Sequence, residues 1–262
     1  MVRADDRPSN ATLVTGHFLE IDGDIDPAVL ARAVHTVFAE SAELRARIAV
    51  VDEAPVQFPG AHPAPDVEVT DLTADADPRR TAVDTMRAIL RVPMDPTTEA
   101  GIGARVFVLG SDRVLLFLRA HHSLLDVYGY SLIERRIVAV YTALVRGEEI
   151  SPATFGSVEQ VVAEDSEYRS GDRITADRDF WTETLRGAPD ALGLAETAVP
   201  AASSLARAVV TESVQVPGDV AEALDAAARR AGVGWPDFVA AATAAYLTRV
   251  TGVRDVVLAS RP

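Results

Sequence analysis

The chain has 262 residues, a formal net charge of −14, 48% hydrophobic residues and no cysteine; that length suffices for one large domain or two small ones. The acidity disfavours nucleic-acid phosphates, and the missing cysteine excludes disulfides, thiolate catalysis and Cys-ligated metals, which fits a cytoplasmic location. All 25 basic residues are arginine, which removes lysine chemistry, and the sequence contains neither a membrane-length apolar run nor a signal peptide at Met1 to Asp6.

Taken in order, residues 1–10 are polar and without period, and Leu13 to Ile21 reads as a strand. Asp26 and Pro27 open a helix as N-cap and first helical residue, and Leu30, Val34, Val37 and Phe38 give it an apolar face. Leu44 to Val51 alternates as a strand. His17 and His35 lie inside these regular elements, which favours structural roles for both. Residues 52–66 hold four prolines and read as a loop with an exposed His62. Val67 to Leu72 is a short strand, and Asp77-Pro78 opens a helix to about Arg91. Ala104 to Leu109 and Arg113 to Arg119 pair as a hairpin around Gly110, Ser111 and Asp112.

The apolar strand then runs into Ala120-His121-His122-Ser123-Leu124-Leu125-Asp126-Val127-Tyr128-Gly129. A helix is expected from about Tyr130 to Arg146, with Ile133, Ile137, Val140 and Leu144 on one face and Gly147 closing it. Ser157 caps a helix through Val161 to Tyr168, and a further helix holds Phe180, Trp181 and Leu185. Residues 187–205 are rich in Gly, Ala, Pro and Ser and read as a linker between two lobes. Ala208 to Val216 reads as a strand, Asp219 to Ala231 as a helix, and Trp235 to Val250 as an apolar helix begun at Pro236. Val256 to Leu258 begins another strand. The expected fold is α/β (α+β), a mixed sheet flanked by helices.

Two histidines and a carboxylate thus sit at a strand-to-helix turn. A neutral imidazole takes up a proton near pH 7, and a carboxylate four residues on can orient that ring or anchor its loop. A core histidine beside a helix-capping aspartate explains the same spacing equally well. Adjacent histidines with one aspartate also offer metal ligands, but the sequence shows no third and fourth ligand cluster, so no metal is expected.

With these residues in place, the chain resembles the condensation domains of nonribosomal peptide synthetases, which have the chloramphenicol acetyltransferase-like fold. The family's central motif is two histidines, three variable residues, aspartate and glycine. His121, His122 and Asp126 match it, and Val127 stands where the family has glycine. A second motif ending in Leu-Arg matches Leu44 and Arg45, with Glu40 in place of an upstream arginine. The Phe180-Trp181 helix resembles the element that follows the family's tyrosine motif, for which Tyr168 is the candidate. The resemblance divides the chain into a lobe over 1–186, a linker over 187–205 and the beginning of a second lobe over 206–262. The opening glutamine-arginine-tryptophan motif and all late motifs of the family are missing.

What the resemblance implies is amide formation between a thioester donor and an amine acceptor, both carried on the 4'-phosphopantetheine arms of partner carrier proteins. No cofactor bound directly to the chain, no membrane and no nucleic acid is implied; the partners are carrier proteins and other synthetase domains. His122 would be the catalytic residue and His121 a supporting one. Asp126 would pair with Arg45 and pin the loop. Val127 would narrow the tunnel or shift the loop, and Gly129 would restore some of its flexibility. A degenerate, non-catalytic docking platform is the alternative, suggested by Val127, Glu40 and the incomplete second lobe. A sister enzyme that shares the histidine motif, such as an epimerisation domain or an acyltransferase using a soluble thioester, is a third possibility. Residues 1–262 alone are expected to be inactive, because both lobes wall the family's tunnel, and the second lobe's apolar faces around Phe238, Ala241, Tyr246 and Val250 to be partly uncovered.

Overall fold

In a computed structural model, residues 13–153, 155–189 and 214–258 are described. The chain divides into two units, one up to Ala163 and one from Glu164 on. Of the expected linker 187–205, residues 190 onward lie outside the described residues.

The first unit is built on a four-stranded sheet, β1 (Val14–Asp22), β4 (Glu68–Asp71), β5 (Ile102–Gly110) and β6 (Arg113–His121), in the order β1-β6-β5-β4. β6 is antiparallel to both β1 and β5, as the hairpin around Ser111 requires. β4 runs parallel to β5. A parallel neighbour needs a crossover, and α2 (Pro78–Leu90), capped by Asp77, supplies it.

β6 is covered on both faces, and its sequence is accordingly a continuous apolar run. Val114, Leu116, Leu118 and Ala120 join one core with α1 (Pro27–Glu40) and α3 (Val127–Arg146), whose Leu30, Val34, Val37, Ile133, Ile137 and Val140 are buried there. Leu115 and Phe117 join a second core with Ala82 and Met86 of α2. Asp26 caps α1 as predicted, accepting from the N–H groups of Ala28 and Val29 at 2.8 and 3.1 Å. Gly147 ends α3 in left-handed backbone, φ 66°, where a side chain would be strained.

Three local expectations are corrected here. The stretch 44–51 is a 3₁₀ turn at Glu43–Arg45 followed by β2 (Arg47–Val51). The expected loop 52–66 contains β3 (Ala54–Phe58), which forms a two-stranded hairpin with β2. Asp52 and Glu53 turn that hairpin with φ of 49° and 65°, a conformation usually signalled by Asn or Gly, so the sequence carried no marker for it. Finally, His62 is not exposed. Its Nε2 is buried without a hydrogen-bond partner among the described residues, and its backbone N–H donates to Arg45 O at 3.0 Å.

Beyond the sheet, α4 (Val158–Ser170) is capped by Ser157, whose Oγ accepts from the N–H of Gln160 at 3.2 Å. Tyr168 donates to Asp177 Oδ2 at 3.0 Å and so joins α4 to α5 (Asp172–Thr184), which holds Phe180 and Trp181. α6 (Gly218–Ala231) and α7 (Trp235–Thr251) follow as predicted. On α7, Tyr246 and Val250 are exposed and Phe238 is half-buried. The strand expected over 208–216 lies outside the described residues up to 213, and 214–216 are irregular. Residues 256–258 are also irregular: no described strand pairs with them, and a strand exists only by its ladder. No helix among the described residues is long and apolar enough to cross a membrane.

Candidate active site

The central strand delivers the two histidines and its neighbours fix where it ends. The His121 N–H donates to Gly101 O at 2.8 Å, and the His122 N–H donates to Leu13 O at 2.7 Å. A turn closes through Leu124 N–H to His121 O at 2.9 Å, and α3 begins directly after Asp126.

The rings differ in environment and in tautomer. His122 is exposed, and its Nδ1 lies 3.0 Å from Leu125 O. A carbonyl only accepts, so Nδ1 carries the proton and the neutral ring has a bare Nε2. No described residue bonds that nitrogen. His121 is 8% exposed and accepts the Ser123 N–H on Nδ1 at 3.3 Å, with Ser123 Oγ at 2.7 Å. Its ring therefore has the opposite tautomer and is tied into the turn.

Burial lowers the pKa of His121 below the ordinary 6.5; nearby Asp95 opposes this and His122 adds to it. The unfolded chain thus takes up a proton near pH ~6.5 that the folded chain refuses until lower pH. Its contribution to stability is complete above about pH 6.5 and is lost as pH falls toward the folded pKa. Urea unfolding should show the parent losing more stability than His121→Gln between pH 7.5 and 5.5.

Asp126 is exposed and caps α3, accepting the Gly129 N–H at 2.8 Å. The expected ion pair with Arg45 is not formed. Arg45 instead donates to Phe38 O and Ala39 O, each at 3.0 Å, and to His62 O at 2.8 Å. The physical reason is that the end of α1 leaves carbonyls without helical partners, while the start of α3 leaves N–H groups without them. Each charge is satisfied by the backbone terminus nearest to it. Asp126→Ala should therefore cost about 1 kcal/mol, the worth of a cap, and Asp126→Asn, which caps equally well, should cost almost nothing in urea unfolding. Breaking a buried ion pair would cost several times more in both variants.

The buried pair lies elsewhere. Arg136 holds Glu40 with two parallel bonds, Nε to Oε2 at 2.8 Å and Nη2 to Oε1 at 2.7 Å. It also donates from Nη2 to Ser151 O at 2.6 Å. Glu40 occupies the position where the family has an arginine, so the contact joining α1 to α3 is carried by a carboxylate on α1 and a guanidinium on α3. Arg136 was missed, although a charge at a buried position among Ile133, Ile137 and Val140 is itself a signal of a partner.

Val127 is the first residue of α3, 78% exposed, and its φ is not positive. The backbone at this position is therefore unstrained. Gly129 lies inside α3 and lends the loop no flexibility; it leaves space, because a Cβ there would stand 2.4 Å from Leu125 Cδ1. The Leu125 side chain packs into that space while its carbonyl holds His122. Tyr130, also unforeseen, donates to Thr15 O at 3.0 Å and ties α3 to β1. His17 is paired with Glu134 of α3, and His35 is an exposed residue of α1.

A histidine with one nitrogen tethered and the other open is equipped to accept a proton. The family model described as condensation domain matches residues 7–261. The dimodular nonribosomal peptide synthase of Bacillus subtilis (strain 168) is 32% identical over 253 residues, covering 96% of this chain and 10% of that protein. The isonitrile lipopeptide synthase of Streptomyces coeruleorubidus is 34% identical over 254 residues, 96% of this chain and 17% of the other. Among solved structures, the first condensation domain of the CDA synthetase superposes with a TM-score of 0.83 at 30% identity, covering 95% of this chain and 59% of that one. The starter condensation domain of rhizomide synthetase gives 0.64 at 29% identity, over 70% of this chain and 45% of that one. The chain therefore spans a small part of the synthetases and little more than half of the first of these solved domains, with the same chloramphenicol acetyltransferase-like fold. Sheet, histidine turn and comparisons agree that the chain belongs to the condensation-domain family of nonribosomal peptide synthetases.

Proposed function

We propose that this chain contributes the catalytic histidine of an amide-forming condensation domain, and that His122 is that residue. The donor is an acyl thioester and the acceptor an amine, each on the phosphopantetheine arm of a carrier protein. The amine nitrogen attacks the thioester carbonyl and a C–N bond forms. The C–S bond breaks as the tetrahedral species collapses, and the thiol leaves. The proton lost by the nitrogen passes to Nε2 of His122 and from there to the departing sulfur. The observation that supports this is the exposed ring whose Nδ1–H is committed to Leu125 O, leaving Nε2 open.

In this proposal His121 holds the turn, Asp126 caps the helix that follows, and Arg45 fixes the end of α1; none of the three touches substrate. Two observations support this reading over a non-catalytic docking platform. Val127 occupies ordinary helical backbone, and Glu40 is neutralised by Arg136. The first lobe extends to about residue 186, and a second lobe begins at about residue 206 after the linker.

The test is an amide-formation assay with loaded donor and acceptor carrier proteins, followed by mass spectrometry. A two-lobe domain containing this chain should form the amide, and His122→Ala should form it far more slowly. Residues 1–262 alone should not turn over, because the family's tunnel takes its walls from both lobes and a catalytic group open to bulk water loses positioning. Equal turnover by the parent and His122→Ala would contradict the assignment.

A further inference from the structure

The face of the sheet that carries α2 also holds a cleft of about 610 Å³ beside β5 and β6. That size falls within the roughly 300–1,000 Å³ of small-molecule sites. Ile89 and Val92 supply apolar lining over the buried Phe117, and Arg105 and Arg119 supply two guanidinium groups.

The two arginines are not equivalent. Arg105 is paired with Glu68. Arg119 has no carboxylate partner among the described residues; it makes one long hydrogen bond, 3.5 Å from Nη1 to Ile89 O. Four arginines of the first unit are not exposed among the described residues: Arg45, Arg105, Arg119 and Arg136. Arg45 is held by three carbonyls, Arg105 by Glu68 and Arg136 by Glu40. Among the described residues of the first unit, Arg119 is the half-buried arginine with neither a carboxylate nor a set of carbonyls to hold it. Burying a charge without a partner is costly.

The neighbouring strand makes room for this guanidinium. Gly103 stands directly opposite Arg119 in the β5–β6 register, and a Cβ there would lie 3.3 Å from Arg119 Nε. The cleft is also lined by Asp66 and Glu99. Their charges repel any anion, a multiply charged phosphate more strongly than a singly charged carboxylate, and one carboxylate matches the planar fork of one guanidinium.

We propose that Arg119 is the receptor for the carboxylate of a small aliphatic acid whose apolar part lies on Ile89 and Val92. The site is separate from His122 and stands independently of amide formation. It has a built-in reporter, since His121 follows Arg119 by two residues on the same face of β6, about 7 Å away along the strand.

The test is a solution NMR titration of the 262-residue chain with hexanoate, hexanamide and inorganic phosphate. Hexanoate should bind saturably and shift the amide resonances of Gly103, Arg119 and His121. Hexanamide and phosphate should bind at least tenfold more weakly. Arg119→Gln should weaken hexanoate at least tenfold, and Gly103→Ala should weaken it while keeping the charge. Gly103→Ala decides the matter if Arg119→Gln does not fold. Hexanamide binding as tightly as hexanoate would reduce the site to an apolar cleft and overturn the proposal. So would tighter binding of phosphate, unchanged affinity in both variants, or no saturation.

Discussion

Alanine at His122 should slow amide formation by about 10²- to 10⁴-fold, the usual worth of a positioned general base, and leave the fold intact. The ring is exposed and its side chain makes one hydrogen bond, to Leu125 O, so little stability is at stake. His122→Gln separates two ways of acting. An amide side chain can orient an amine by a hydrogen bond but cannot take its proton. If His122 works as a base, Gln should be nearly as slow as Ala in single-turnover assays with loaded carriers. If orientation alone matters, Gln should stay within about tenfold of the parent, the effect then being one of proximity.

The second large effect is on stability and lies far from the reacting atoms. Arg136→Ala should destabilise the first unit by about 3 kcal/mol or more in urea unfolding, because it leaves the Glu40 carboxylate and Ser151 O without their donor. Replacing both charges, Arg136→Met with Glu40→Leu, should recover most of that loss, since a buried pair is often no better than apolar residues of similar size. A loss below 1 kcal/mol in the single variant would mean that the pair does not hold α1 to α3.

The residues that shaped the fold most strongly were also the easiest to read. Asp26-Pro27 and Asp77-Pro78 place both helix starts because capping is local chemistry, written in two adjacent residues. The run from Arg113 to Arg119 reads as a strand because both its faces are buried. The β2–β3 hairpin escaped notice because Asp52 and Glu53 adopt positive φ without glycine or asparagine, while Pro55 and Pro59 suggested a loop. At 256–258 no described strand supplies a ladder, and a strand's partner cannot be read from its own residues.

At the site, the pattern of histidines located the turn, and the pairings within it were not legible. Arg45 and Asp126 are joined in the resemblance, yet each is satisfied by a backbone terminus that no residue type announces. Likewise, the group that orients His122 is the carbonyl of Leu125, which any residue at that position would provide. Side-chain chemistry can be read along a sequence, whereas backbone hydrogen bonding appears only once the turn is built.

The central claim is that the turn holds His122 in one tautomer, with Nδ1 protonated toward Leu125 and Nε2 bare. The most direct measurement is the pair of ¹⁵N ring shifts of His122 at pH 8 in the isotope-labelled chain, assigned against His122→Ala. A protonated Nδ1 and an unprotonated Nε2 are predicted, with the reverse pattern for His121. A proton on Nε2 of His122, or two ring nitrogens averaged by free exchange between tautomers, would contradict the claim.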